Sequence, residues 1–181
     1  MNRPIKKADS HEILINKAGH SRYDKPDSVE NLIRYISRKN GKSQNDLLCC
    51  GAFGATDFTD INTTIKQFKC VQMLHTRKGN FGRYIDHEIY SFSTDEEKAI
   101  IENNISVEKL AEKMALDFYK EGFQVYYGVH NKDHGNNSLH VHFAINTVNF
   151  QTGNKRREYK SATKDREQRL RRIVDEALQK Y

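Results

Sequence analysis

An unbroken alternation runs from Leu139 to Asn146, with Leu139, Val141, Phe143 and Ile145 in one row and His140, His142, Ala144 and Asn146 in the other. Strand side chains point alternately to the two faces of a sheet. The pattern therefore predicts a strand whose apolar row faces a core while two imidazoles stand side by side on the opposite face. Upstream, Phe123, Val125, Tyr127 and Val129 form a similar apolar row, and His130 falls in the other phase. Paired as an antiparallel hairpin, the two segments bring His130, His140 and His142 to one face of one sheet.

The rest of the chain divides by the same reading. Met1–Ser10 is a polar lead expected to be loosely ordered, and His11–Ile15 reads as a short strand. Pro26-Asp27-Ser28 opens a helix in which Val29, Leu32, Ile33 and Ile36 recur at helical spacing, with Asn40-Gly41-Lys42 as its expected stop. Gly51–Asp60 is glycine-rich and short of aliphatics, which predicts a loop. Ile61–His75 carries a helical stripe of Ile61, Ile65, Phe68 and Val71. After a turn at Arg77-Lys78-Gly79-Asn80, Arg83–Ser93 reads as a strand with His87 and Ser91 in phase with Ile85 and Ile89, and Asp86 and Glu88 in the other row.

Ser93 or Thr94 caps a short helix with an acidic start, and Ser106 caps a longer one bearing Val107, Leu110, Ala111, Met114 and Phe118. A charged, basic helix from about Lys164 to Tyr181 closes the chain, with Leu170, Ile173, Val174 and Leu178 as its apolar stripe. These elements predict one α+β domain over residues 1–181. Its expected form is a two-layer sandwich, with helices on one face of a central antiparallel sheet and an open, histidine-bearing face on the other.

Charge adds a polyanionic partner to the picture. Thirty Lys and Arg against 24 Asp and Glu leave a net charge of +6 and a pI near 9.1. The cations concentrate in residues 154–172, where a solvated helix face is the competing explanation. Cys49, Cys50 and Cys70 match no zinc spacing and read as reduced thiols of a cytosolic protein. No apolar run approaches the length of a membrane span, and no signal peptide is visible.

Three neutral imidazoles with an open position outline a catalytic metal site. Imidazoles without cysteine suit Mn, Zn, Ni or Co, and the sequence does not choose among them. Asp133 and His134, between the two strands, read as a fourth ligand, an orienting group or simple turn residues. Tyr35 sits at the edge of its helix's apolar stripe, where a ring can pack on the core and leave its hydroxyl accessible. Tyr23, Tyr84, Tyr90, Tyr126, Tyr127 and Tyr159 are rival hydroxyls. Asn146–Lys155 is a polar turn region beyond the histidine strand, and Lys155, Arg156 and Arg157 are candidate phosphate contacts.

Taken in order, a tyrosine in Leu32-Ile-Arg-Tyr-Ile36, the segment His87-Glu-Ile-Tyr-Ser-Phe92 and the set His130…His140-Val-His142 with Asn146 resemble the relaxase/mobilisation-nuclease family. These are the conjugative DNA-nicking enzymes of plasmids and integrative elements, and the resemblance is particularly to the P-type mobilisation (MOBP) group of the HUH (His-hydrophobic-His) superfamily. The resemblance implies that Tyr35 is the nucleophile, that His130, His140 and His142 bind a divalent ion (Mn²⁺ or Mg²⁺ first, then Zn²⁺, Ni²⁺ or Co²⁺), and that Ser91 helps hold DNA near the nick. Asp133 stands three residues after the first histidine, at some distance from the position of the family's acid. A phenol has an ordinary pKa of about 10, so the nucleophile needs a positive field or a base, for which His87, His134 and Asp133 are candidates. Implied partners are single-stranded DNA at an origin of transfer, a relaxosome accessory protein and a coupling protein, in the bacterial cytoplasm. The chain would then be a minimal relaxase or the N-terminal domain of a longer one. Competing readings are a replication initiator or transposase using Tyr159 or Tyr181, a non-catalytic origin-binding protein, and a mononuclear hydrolase of small substrates.

Overall fold

The two alternating segments pair as predicted, and the sheet is built outward from them. The structure, a computed structural model, describes residues 12–15, 23–40, 46–75, 82–131, 139–157 and 159–179. Among these, the elements run β1 (Glu12–Ile15), α1 (Ser28–Ile36), β2 (Leu47–Phe53), α2 (Ile61–His75), β3 (Ile85–Ser91), α3 (Thr94–Glu102), α4 (Val107–Lys120), β4 (Phe123–Asn131), β5 (Leu139–Asn149) and α5 (Lys160–Leu178). The strands form one antiparallel sheet in the order β1-β3-β5-β4-β2, so the histidine strand β5 is central.

Helix starts follow the capping residues. Ser93 accepts from Glu96 N while the Glu96 carboxylate accepts from Ser93 N at 2.7 Å, a reciprocal box that satisfies two backbone donors. Ser106 caps α4 in the simpler way. The stop of α1 differs from expectation. It ends at Ile36, short of Asn40-Gly41, because Arg38 itself takes the left-handed conformation (φ +57°) that closes a helix.

One face of the sheet packs on α3, α4 and α5: Val141, Phe143 and Ile145 meet Leu110, Met114, Phe118, Leu170 and Val174. Fully burying one such side chain contributes about 2 kcal/mol. The other face is not open. Val29, Ile33 and Ile36 of α1 and Ile65 and Phe68 of α2 pack on Ile85, Tyr126 and Ala144. The α+β class and antiparallel sheet agree with the sequence reading, but the layers number three. Apolar side chains in the middle of the histidine-bearing face give α1 and α2 a place to bury their stripes.

The region expected to be a loop at Gly51–Asp60 begins inside a strand. β2 pairs with β4 through Phe53, and Gly51 stands opposite Tyr127, whose ring would collide with any side chain there. Glycine is required here by close approach, not by a turn. No helix among the described residues is long and apolar enough to cross a membrane.

Candidate active site and metal centre

The β4–β5 register sets His130 opposite His140 and Gly128 opposite His142. Cross-strand partners share a face, so three imidazoles cluster, each offering a nitrogen within 4.8 Å of the others. All three are buried. A side chain at Gly128 would press on Ile36, and its absence lets the Ile36 carbonyl reach His130 Nε2 at 2.8 Å.

The hydrogen bonds assign the protons. A carbonyl only accepts and a guanidinium only donates. His130 Nε2 therefore carries a hydrogen for Ile36 O, and its Nδ1 lone pair accepts from Arg38 Nη2 at 2.9 Å. His142 Nδ1 lies 2.8 Å from His87 Nε2, and His87 Nδ1 lies 3.0 Å from the Tyr23 hydroxyl. His142 Nε2 is buried without a hydrogen-bond partner among the described residues. Such an orphaned nitrogen is costly unless it has a ligand. It fits the group that three imidazoles imply, a divalent ion.

Burial, with the neighbouring Arg38 and His140 charges, pushes His130 down to about 4, and burial followed by the neighbouring histidines lowers His142 as well. Both are therefore neutral, the form a metal needs. The same shift makes stability depend on pH. Between 6.5 and about 4 the unfolded chain binds a proton that folded His130 refuses. The stability of the metal-free protein is thus fully present above the higher value and falls with pH, by about 3 kcal/mol for His130 alone. Denaturant melts in chelator at about pH 7 and about pH 4 measure this, and equal midpoints would contradict it.

Tyr35 is at the boundary, 37 % exposed, with its ring edge-on to His142 at 5.5 Å and to His87 at 6.3 Å between centroids. Ser91 pairs directly with His140 across β3 and β5 and shares its face. The structure thus brings together Tyr35, His87, Ser91, His130, His140 and His142. Asp133 and His134 lie outside the described residues.

The expected DNA contacts fare differently. Asn146 is fully buried, donating to Phe68 O and Gln124 and accepting from Gln72, so it ties α2 to the sheet and cannot touch DNA. Arg156 is buried on the opposite face, its guanidinium held by Asp86 at 2.8 Å and Glu88 at 2.7 Å, which removes it from the phosphate-binding set. Lys155 is half-buried and donates to Arg83 O; burial lowers its pKa to about 8. It bridges Val148, about 20 Å along β5 from His142 at roughly 3.3 Å per residue. Arg157 is exposed beside Tyr159. Much of the basic run is spent internally: Arg166 holds Glu88, and Arg169 holds Asp117 and Glu121 of the acidic segment.

The contacts of Tyr23 with His87 and of Arg38 with His130 and Asp46 were not legible in the sequence. Tyr23 had a signal only as one tyrosine among several. Arg38, one helical turn after Tyr35, had that spacing as its signal.

Residues 35–181 match the family described as "Relaxase: MobA/VirD2-like, nuclease domain", the match starting at Tyr35 itself. Spanning most of the sequence, it shows that the chain belongs to the relaxase family of DNA-nicking nucleases. A comparison with curated proteins finds no match.

Proposed function

We propose that the chain nicks and rejoins one strand of DNA at an origin of transfer through a 5′-phosphotyrosyl link on Tyr35, with a divalent ion held by His130, His140 and His142. The observation that carries this reading is the seating of the Tyr35 ring against His142, beside a buried histidine nitrogen that lacks a partner among the described residues. A bound divalent ion supplies positive charge to a scissile phosphate's non-bridging oxygens.

The chain's own residues do the rest. The Tyr35 oxygen bonds to phosphorus as the bond to the 3′ oxygen breaks. The phenolic proton leaves to a base or solvent, and the 3′ oxygen takes one up. The phosphodiester is exchanged, not hydrolysed, so the reverse attack reseals the strand. His87 has a hydrogen-bond partner at each ring nitrogen, which favours positioning over proton abstraction. With His142 Nε2 as the ligand atom, Nδ1–H donates to His87 Nε2, and His87 Nδ1–H donates to Tyr23, fixing both rings. Ser91, beside His140, and the more distant Lys155 and Arg157 are proposed contacts to the strand. Accessory and coupling proteins would be the partners, in the cytoplasm.

The test is incubation with single-stranded oligonucleotides tiled across DNA flanking the chain's own gene, with Mn²⁺ or Mg²⁺. A retarded covalent protein–DNA band is expected, absent when the ion is chelated. Salt-dependent binding without an adduct under any divalent ion would instead mark a non-catalytic DNA-binding protein.

A further inference from the structure

Arg38 Nη2 sits on the His130 nitrogen that has a lone pair to give. We propose that its guanidinium is a gate: in the metal-free protein it occupies the ligand nitrogen of His130, and it must withdraw when a divalent ion binds there. This rests on the reading of the three histidines as a metal site.

Three independent features support it. First, His130 has one lone pair, at Nδ1, because Nε2 donates to Ile36 O, and Arg38 Nη2 sits on that lone pair at 2.9 Å. A nitrogen lone pair cannot serve a guanidinium hydrogen and a metal ion together. Second, the guanidinium is placed with care. Asp46 accepts from Arg38 Nε at 2.7 Å and from Nη2 at 2.6 Å, with the arginine side chain 6 % exposed. The Asp46 carboxyl is held below the usual carboxylate range chiefly by the Arg38 hydrogen bond, so the pair is ionised at neutral pH. Third, the backbone of Arg38 is left-handed at φ +57°, just past the end of α1, where glycine is the ordinary residue. An arginine standing there against backbone preference points to a use for its side chain.

The same guanidinium lies 5.0 Å from the Tyr35 ring centroid, and its Nη1 donates to Tyr35 O at 3.2 Å. Its withdrawal from His130 therefore changes what Tyr35 packs against. One side chain thus touches both a candidate metal ligand and the candidate nucleophile.

Arg38→Gly/Asp46→Asn tests this: glycine suits the local backbone, and the asparagine avoids leaving the largely buried Asp46 carboxylate without its guanidinium. Calorimetric titration of Mn²⁺ into metal-free wild type and variant should show tighter binding by the variant, by about tenfold or more, the worth of a hydrogen bond from a charged donor. The difference should persist at about 1 M salt, where fields reach only about 3 Å. Equal affinities, or a difference that vanishes in salt, overturn the gate and leave Arg38 as a distant charge. Absence of Mn²⁺ binding by both proteins overturns the metal site along with the gate.

Discussion

Tyr35→Phe should abolish the covalent adduct on single-stranded origin DNA and leave binding of that DNA largely intact. The substitution removes one oxygen from a ring at the protein boundary and keeps the edge-on contact with His142. Its effect on stability should stay within about 0.5 kcal/mol. Cleavage should fall by roughly 10⁴-fold or more, because loss of the attacking atom leaves only orientation and charge to act on water. Tyr23→Phe is the informative companion, since Tyr23 is a second tyrosine hydroxyl linked to this cluster, through His87. It should weaken the reaction while still forming the adduct, through looser orientation of His142. If Tyr23→Phe loses the adduct and Tyr35→Phe keeps it, the nucleophile is Tyr23. An adducted peptide containing Tyr159 would point to chemistry with the tyrosine after the histidines.

The second large effect is on stability. Arg156→Ala should destabilise the protein by about 2–4 kcal/mol, because Asp86 and Glu88, buried on β3, lose the guanidinium they share and keep only Arg83 and Arg166. For a chain of this size, that is a fall in Tm of about 10 °C. Arg157→Ala is the contrast. That side chain is exposed, so stability should change by no more than about 0.5 kcal/mol. If Arg157 meets a phosphate, DNA affinity drops alike on all sequences and the salt slope shrinks by about one charge. Thermal melts and DNA titrations over a salt series separate the two variants. An Arg156→Ala protein that melts like wild type and binds DNA poorly would restore the assignment its sequence position invited.

That pair of neighbours shows where reading along the chain stops. The alternation in Leu139–Asn146 and Phe123–His130 was enough to put three histidines on one face, because a strand's two-residue period is a local property. The same holds for Tyr35 at the margin of its stripe, for the caps at Ser93 and Ser106, and for Asp86 and Glu88 facing away from His87. The order of tyrosine, serine strand and histidine hairpin was also legible, since order along a chain needs no coordinates.

Local period says nothing about which surface covers a face or which charge meets which. Arg156 and Arg157 look alike in sequence, yet one lies against carboxylates on β3 and the other faces solvent. The acidic residues that absorb Arg169 come from α4, far upstream. β2 is a strand because β4 offers an unpaired edge, not because its own glycine-containing sequence demands one. The covering of the histidine face by α1 and α2 brings the Ile36 carbonyl and Arg38 onto His130, residues more than ninety positions apart. The alternation thus specified the ligands of the candidate metal site. The burial that keeps His130 and His142 neutral, the tyrosine against the cluster and the cation resting on His130 come from packing between distant segments, where desolvation and charge pairing are settled.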